Sequence, residues 1–352
     1  MSYILYIGDD NEKSTSGHRA AALQRIGHTL VICNPSTMIR SSLLFNFLSP
    51  IHYRTGYIFL QYIVKIWLLG IIQKHPSVDL IWIDSGELFG PECIKELKMK
   101  GFPVILYNVD DPTGKRDGGR FTSLKRSLPF YNLVVVVRKE SEEECRLLGA
   151  THVMRVFRSY DEVAHRPFEH ITDIPSIFRS DVAFIGTWMR NEKRDEFIMK
   201  LAEKGILVSI WGDRWEKSPF WDQLKVGYRG RALGGRDYVA AMQGAKVCLG
   251  FLSKGNRDLH TQRSLEVPYA QGLFCAERTV EHLAMYEDGK EAMFWNDVEE
   301  CAVKCKELIE NEDLCEIIKF ASREKVMKLG VGNEDICKSI LERLTFLESN
   351  KK

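Results

Sequence analysis

The stretch DVAFIGTWMRNEKRDEFI (residues 181–198) reads as an apolar strand that ends in glycine and runs into a charged helix. It restarts, midway along the chain, the pattern with which the chain begins: SYILYIG (2–8), a glycine loop GDDNEKSTSGHR (8–19), and a helix over 16–27 capped by Ser16 and closed by Gly27. Working outward from 181, the strands ILVSIWG (206–212), KVCLGFL (246–252), LFCAERT (273–279) and GKEAMFW (289–295) alternate with helices at 191–204, 236–245 and 263–272. Helices at 297–310, 312–328 and 333–348 follow. Upstream, strands at 28–34, 78–84, 102–110, 131–137 and 152–157 alternate with helices at 54–74, 91–100 and 139–149. Strands written as continuous apolar runs between helices belong to parallel sheets covered on both faces. The segment 158–180 breaks the rhythm with Pro167 and Pro175 and reads as a linker region. The expectation is an α/β chain of two Rossmann-like domains facing a cleft. They are a first domain over 1–165, a linker over 166–180, a second domain over 181–332, and a C-terminal helix over 333–352 that returns to the first domain.

Composition narrows the class. Of 352 residues, 49 are Lys or Arg and 48 are Asp or Glu, giving a formal net charge of +1. That balance argues against a dedicated nucleic-acid binder, which normally carries a basic excess. A hydrophobic share of 45% and a charged share of 28% fit a packed globular chain rather than a disordered one. Nine cysteines without a CxxC pair, behind an N-terminus MSYILYIGDD that meets charge at once, are expected to be free thiols in a reducing cytoplasm. The stretch 43–72 is strongly apolar, but Pro50, His52, Arg54 and Lys65 interrupt it, so no uncharged run of about 20 residues spans a membrane. It reads either as a core helix or as an aromatic, basic surface in peripheral contact with the inner face of a membrane.

Chemistry concentrates in three places. In KGNRDLHTQRSLEVPYAQGLFCAERT (254–279), Arg263 and Glu266 lie three apart on one helix face. A carboxylate can accept from ribose hydroxyls while a guanidinium pairs with phosphate. Spacing alone favours the rival reading, a surface ion pair. Lys254 and Arg257 in the preceding loop either reach phosphate or are solvated. After strand 181–187, Gly186 permits close backbone approach and Arg190, Lys193 and Arg194 surround a helix start, which suits a diphosphate. In the first half, Asp110 and Asp111 end a strand before Pro112, where one carboxylate could take a hydroxyl proton. A divalent ion and a plain Asx-type turn are the rival readings; lacking a nearby third ligand, the pair is expected to work without metal. His18 is a candidate sugar contact or an ordinary helix-start histidine.

The segment 254–279 resembles the signature of CgeB-like (spore maturation protein) glycosyltransferases, and that family in turn resembles glycosyltransferase group 1 with its GT-B fold. DVAFIGTWMRNEKRDEFI, IWGDRW (210–215), RTVEHLAMYEDGKEAMFWNDVEE (278–300), YNVDDP (107–112) and YDEVAHRP (160–167) agree in order. Tyr269-Ala270-Gln271 departs from the small residues usual before Gly272. The resemblance implies transfer of a sugar from a UDP- or GDP-sugar to a glycan, protein or small-molecule acceptor, with retention of configuration and no cofactor. It places Glu266 on the donor ribose, Gly212 at the conserved strand end, and leaves the donor sugar to Asp258 and His260, because Leu259 stands where the wider group often has a second glutamate. The competing classes are a nucleotide-sugar hydrolase or epimerase on the same scaffold and a non-catalytic two-lobed binding protein.

Overall fold

Runs such as LIWID and VILYN are apolar at every position, so they form strands with both faces covered rather than one. The computed structural model describes residues 1–40 and 43–350, with side chains for all of these except 39, 40 and 43–47. The first six strands are β1 (Tyr3–Ile7), β2 (Thr29–Cys33), β3 (Leu80–Asp84), β4 (Val104–Asn108), β5 (Leu133–Val136) and β6 (Val153–Arg155). They make one parallel sheet in the order β2-β1-β3-β4-β5-β6. The remaining six are β7 (Ser180–Ile185), β8 (Val208–Trp211), β9 (Tyr228–Gly230), β10 (Ala245–Gly250), β11 (Phe274–Glu277) and β12 (Met293–Trp295). They make a second parallel sheet in the order β12-β11-β10-β7-β8-β9. Both sheets are doubly wound, as the strand pattern predicts. In the first the order reverses between β1 and β3, in the second between β7 and β10. The crevice outside the carboxyl ends of such strand pairs is where ligands of open α/β sheets bind.

The chain divides into two compact units, Met1–Phe157 with Gly255–Arg257 and Asn333–Lys352, and Arg158–Lys254 with Asp258–Gly332. The division at Phe157 lies upstream of residue 165 because the segment from Arg158 onward is bonded within the second unit. The Arg158 amide donates to His260, and Phe168 and Gln243 exchange hydrogen bonds. In the first unit the C-terminal helix Asn333–Ser349 is tied to the helix Thr15–Arg25 through Arg25 and Glu334, 2.6 Å apart.

Local chemistry corrects several predicted elements. The first helix is capped by Ser14, whose side chain accepts from the Gly17 amide, and not by Ser16, which is buried. The helix predicted over 54–74 is two: Leu43–Thr55 and Gln61–Lys74, which are separated by left-handed Gly56 and Tyr57 and a 3₁₀ turn. Hydrophobic periodicity runs through this corner and hides it, whereas an added Cβ on Gly56 would lie 2.5 Å from the Gly119 carbonyl oxygen. The strand predicted over 289–295 is confined to Met293–Trp295, and the edge strand β9 was not predicted, since YRG carries no apolar run.

Candidate functional site

The reversal between β7 and β10 in the second unit gathers most of the residues singled out by sequence. At the carboxyl ends of β7 and β8, Gly212 adopts φ 153°, and a Cβ added to it would sit 2.1 Å from the Gly186 carbonyl oxygen. Only glycine permits this approach. The Gly186 carbonyl accepts from the buried Trp215 indole at 2.8 Å, and the Gly186 amide donates to Trp211 at 2.8 Å. The loop that follows contains left-handed Asn191 and Lys193 and leads into the helix Arg194–Glu203. Asp195 in its first turn accepts from the Trp188 indole at 2.7 Å and the Ser218 hydroxyl at 2.6 Å. A hollow of about 450 Å³ opens here, lined by Trp188, Arg190, Lys193, Asp195 and Phe220 among others. Arg190 and Lys193 are exposed beside it.

The loop leaving β10 is bonded to the same region. Arg194 donates to the carbonyls of Leu252 at 3.1 Å and Thr187 at 3.4 Å, which bridges the loops after β7 and β10. Glu192 accepts from the Ser253 hydroxyl and the Lys254 amide, both at 3.0 Å. The Lys254 ammonium lies 3.5 Å from Glu277. Further on, Asp258 lies 3.4 Å from the Arg158 guanidinium. His260 is almost fully buried; its Nε2 accepts from the Arg158 amide at 3.0 Å, which leaves the proton on Nδ1, facing Glu281 at 2.5 Å. Burial lowers its pKa, against the opposite pull of Glu281, so the ring is neutral and both nitrogens hold the loop.

Further along, on the helix Arg263–Tyr269, stands Glu266, only 4% exposed. Its carboxylate accepts from the Tyr238 hydroxyl at 2.6 Å and faces His165 Nε2 at 3.5 Å. The other nitrogen of His165 accepts from the Asp161 amide at 2.8 Å, so Nε2–H is the edge presented to Glu266. Burial, then the Glu266 charge, raise the Tyr238 pKa far above its ordinary value and keep it a donor. Arg263 is half-buried, and its Nε has no hydrogen-bond partner among the described residues. The sequence singles out Glu266, Arg263 and the glycines. Trp215 stands there only as the end of IWGDRW, His165 and Glu281 only within longer matching stretches, and Tyr238 is not singled out; none of the four was assigned a partner, because each partner comes from a distant element.

Three predicted residues belong to the first unit. His18 lies half-buried in the first turn of the helix Thr15–Arg25, its amide donating to Ser14. Asp110 follows β4; its carbonyl is held by Arg138, and its carboxylate lies 3.5 Å from Arg120, which also pairs with Glu87 at 2.5 Å. Arg257 is grouped with this unit, where its guanidinium binds Asp111 at 2.8 and 2.6 Å and Glu144 at 2.9 and 2.8 Å. Those carboxylates raise its pKa further and saturate the fork that sequence reading offered to phosphate.

Among the described residues, one cluster has metal-ligating types: Cys275, Cys301 and Cys305, with sulfurs within 4.8 Å of one another and all buried. Hydrogen bonds within the trio push the Cys275 thiol pKa up and the Cys305 thiol pKa down, so one proton is shared unevenly among the three sulfurs. All nine cysteines are free.

Residues 190–329 match the family model described as glycosyl transferase-like. No curated protein sequence matches the chain. Among solved structures, HepE of Anabaena in complex with UDP and glucose is 11% identical with a TM-score of 0.66, covering 98% of this chain and 100% of that one. Sucrose-phosphate synthase of Thermosynechococcus elongatus is 12% identical with a TM-score of 0.70, covering 98% and 99%. The S. aureus MnaA–UDP co-structure is 13% identical with a TM-score of 0.58, covering 99% and 97%. At such identities the likeness is one of fold. The chain has the GT-B fold, two parallel six-stranded sheets with flanking helices, and the match to the glycosyl transferase-like model lies at 190–329.

Proposed function

We propose that this protein is a glycosyltransferase, CgeB-like in its signature RSLEVPYAQG, that moves a sugar from a nucleotide sugar bound by the second unit to an acceptor hydroxyl. The observation that carries the reading is the buried Glu266 carboxylate, held by Tyr238 and facing His165, one turn from the half-buried Arg263 and inside the matched segment 190–329. A carboxylate taken out of water needs donors, and ribose hydroxyls supply the remaining ones. The diphosphate goes to the Gly186–Gly212 approach and the start of the helix Arg194–Glu203, where free amides, Arg190 and Lys193 take up leaving-group charge without a metal. UDP is the first nucleotide to try, because HepE and MnaA are seen with it. On the acceptor side we assign Asp110 and His18, with retention of anomeric configuration. Asp258 and His260 shape the donor-sugar side, His260 as a positioning residue.

Calorimetric titration with UDP and GDP tests the donor site. Glu266→Ala is expected to weaken the preferred nucleotide roughly 10–100-fold, as loss of charge-assisted hydrogen bonds does. Unchanged affinity for both nucleotides removes Glu266 from the site. With labelled UDP-glucose, UDP release that requires an acceptor and persists in EDTA supports metal-free transfer. Release that never needs an acceptor makes the protein a hydrolase, and rescue by Mg²⁺ moves Asp110 and Asp111 toward metal binding.

A further inference from the structure

Between Glu12 and Asp79 the chain has no acidic residue, while lysines and arginines recur throughout. Inside this stretch the helix Gln61–Lys74 is apolar on two opposite sides. Val64, Leu68 and Ile72 form the stripe buried in the first unit. Tyr62, Ile63 and Ile66 point away from it, 76%, 54% and 53% exposed, and Phe59 just before the helix is 66% exposed. A helix that is apolar all round is normally enclosed by protein or lipid, and the second side is open to solvent among the described residues. The apolar face continues into a groove of about 730 Å³, lined by Ile66, Leu69, Ile72, Pro76 and Phe102 with Lys100 on its wall. Lys74 at the end of the helix and Lys100 in the groove are exposed, as are Arg54, which precedes the corner, and Lys98, two residues before Lys100. Lys65 is paired with Glu96 at 2.6 Å, and Glu92 with Lys95 at 2.9 Å, so the nearby carboxylates are neutralised.

We propose that this face of the first unit docks on the surface of an anionic lipid bilayer. Buried apolar side chains and basic residues are the two signals that reversible membrane attachment requires together. Among the described residues no single helix is long and apolar enough to cross a membrane. The helices Leu48–Thr55 and Ile58–Lys74 meet at 104°, a corner locked by Gly56 against Gly119. The 14 residues of Gln61–Lys74 extend about 21 Å, short of the ~30 Å hydrocarbon layer. The geometry is that of an element lying in the interface. A second copy of the chain is a poorer occupant, because a two-fold contact would set this unopposed basic surface against itself. The proposal stands independently of sugar transfer, and its test reads no activity.

The test is flotation of the full chain with phosphatidylcholine vesicles, with and without phosphatidylglycerol. The protein is expected to float with the anionic vesicles at low salt and to be released at high salt. The triple variant Phe59→Ser/Tyr62→Ser/Ile63→Ser is expected to lose about tenfold in partitioning with an unchanged melting temperature, since these side chains are exposed. Arg54→Glu/Lys74→Glu is expected to lose binding selectively on the anionic vesicles. Three results each overturn the proposal: wild type remaining in the buffer with both vesicle types, equal binding to neutral vesicles at all salt concentrations, or a stable dimer in sedimentation that the triple variant dissolves.

Discussion

The two sheets are wound alike, yet their crossover points are finished in opposite ways. In the first unit, the carboxyl ends of β1 and β3 are filled by the protein itself. Arg19, 1% exposed, binds Asp84 at 2.8 and 3.1 Å, and the Tyr6 hydroxyl donates to the same carboxylate at 2.8 Å. The Arg19 guanidinium also lies 4.3 Å from the centre of the Tyr107 ring. In the second unit, the ends of β7 and β8 carry close-packed glycine backbone and a helix start, and the loop after β10 is hung on Arg194 and Glu192. Topology supplies a crevice in both, and side chains decide whether it is sealed or left for a ligand.

Breaking the seal tests the contrast most severely. Asp84→Ala leaves a buried guanidinium without its counter-charge, and such losses cost about 3–5 kcal/mol. Chemical denaturation is expected to show that loss with nucleotide affinity of the folded protein unchanged. A change below about 1 kcal/mol, on the scale of exposed pairs, shows that the pair seals nothing.

Acid should strike the second unit next. Burial lowers His282 to about 4; its Nδ1 lies 2.7 Å from the Glu277 carbonyl and its Nε2 2.9 Å from the Ser264 hydroxyl. The unfolded chain binds this proton more readily than the folded one. Stability from the neutral ring is therefore complete above pH ~6.5 and lost as pH falls toward 4, about 3 kcal/mol in all. His260, also lowered by burial, adds in the same direction. Denaturation midpoints at pH 7, 6 and 5 are expected to fall, and His282→Asn to flatten the slope. A wild-type midpoint constant from pH 7 to 5 contradicts the neutral-ring reading.

The smallest expected effect sharpens the ligand side. Trp215→Phe keeps the aromatic packing and removes the donor to Gly186, leaving a buried carbonyl unpaired at about 1–2 kcal/mol. Because that carbonyl sets the glycine approach, UDP affinity is expected to fall with stability. A stability loss with UDP affinity unaltered would separate this strand end from the donor site.

Much of the fold was legible because strand and helix periods are short-range properties of the backbone. LIWID can only be a buried strand, and the restart at DVAFIGT marks a second sheet. The corner at Gly56–Tyr57 was illegible because apolar periodicity runs through it, and what forces the turn is the Gly119 carbonyl, distant in sequence. Ser16 looked like a cap because it precedes apolar spacing, yet Ser14 reaches the Gly17 amide and Ser16 is buried near the Tyr6 hydroxyl.

The sequence by itself determined the two parallel sheets, Gly186 and Gly212 at strand ends, and Arg263 with Glu266 on one helix turn. Tertiary structure alone decided the partners: Tyr238 and His165 for Glu266, Glu281 for His260, and Asp111 with Glu144 for Arg257. Backbone periods are fixed by neighbours a few residues away, whereas a charged side chain's counterpart is whichever group the crossovers of the sheet bring within 3–4 Å.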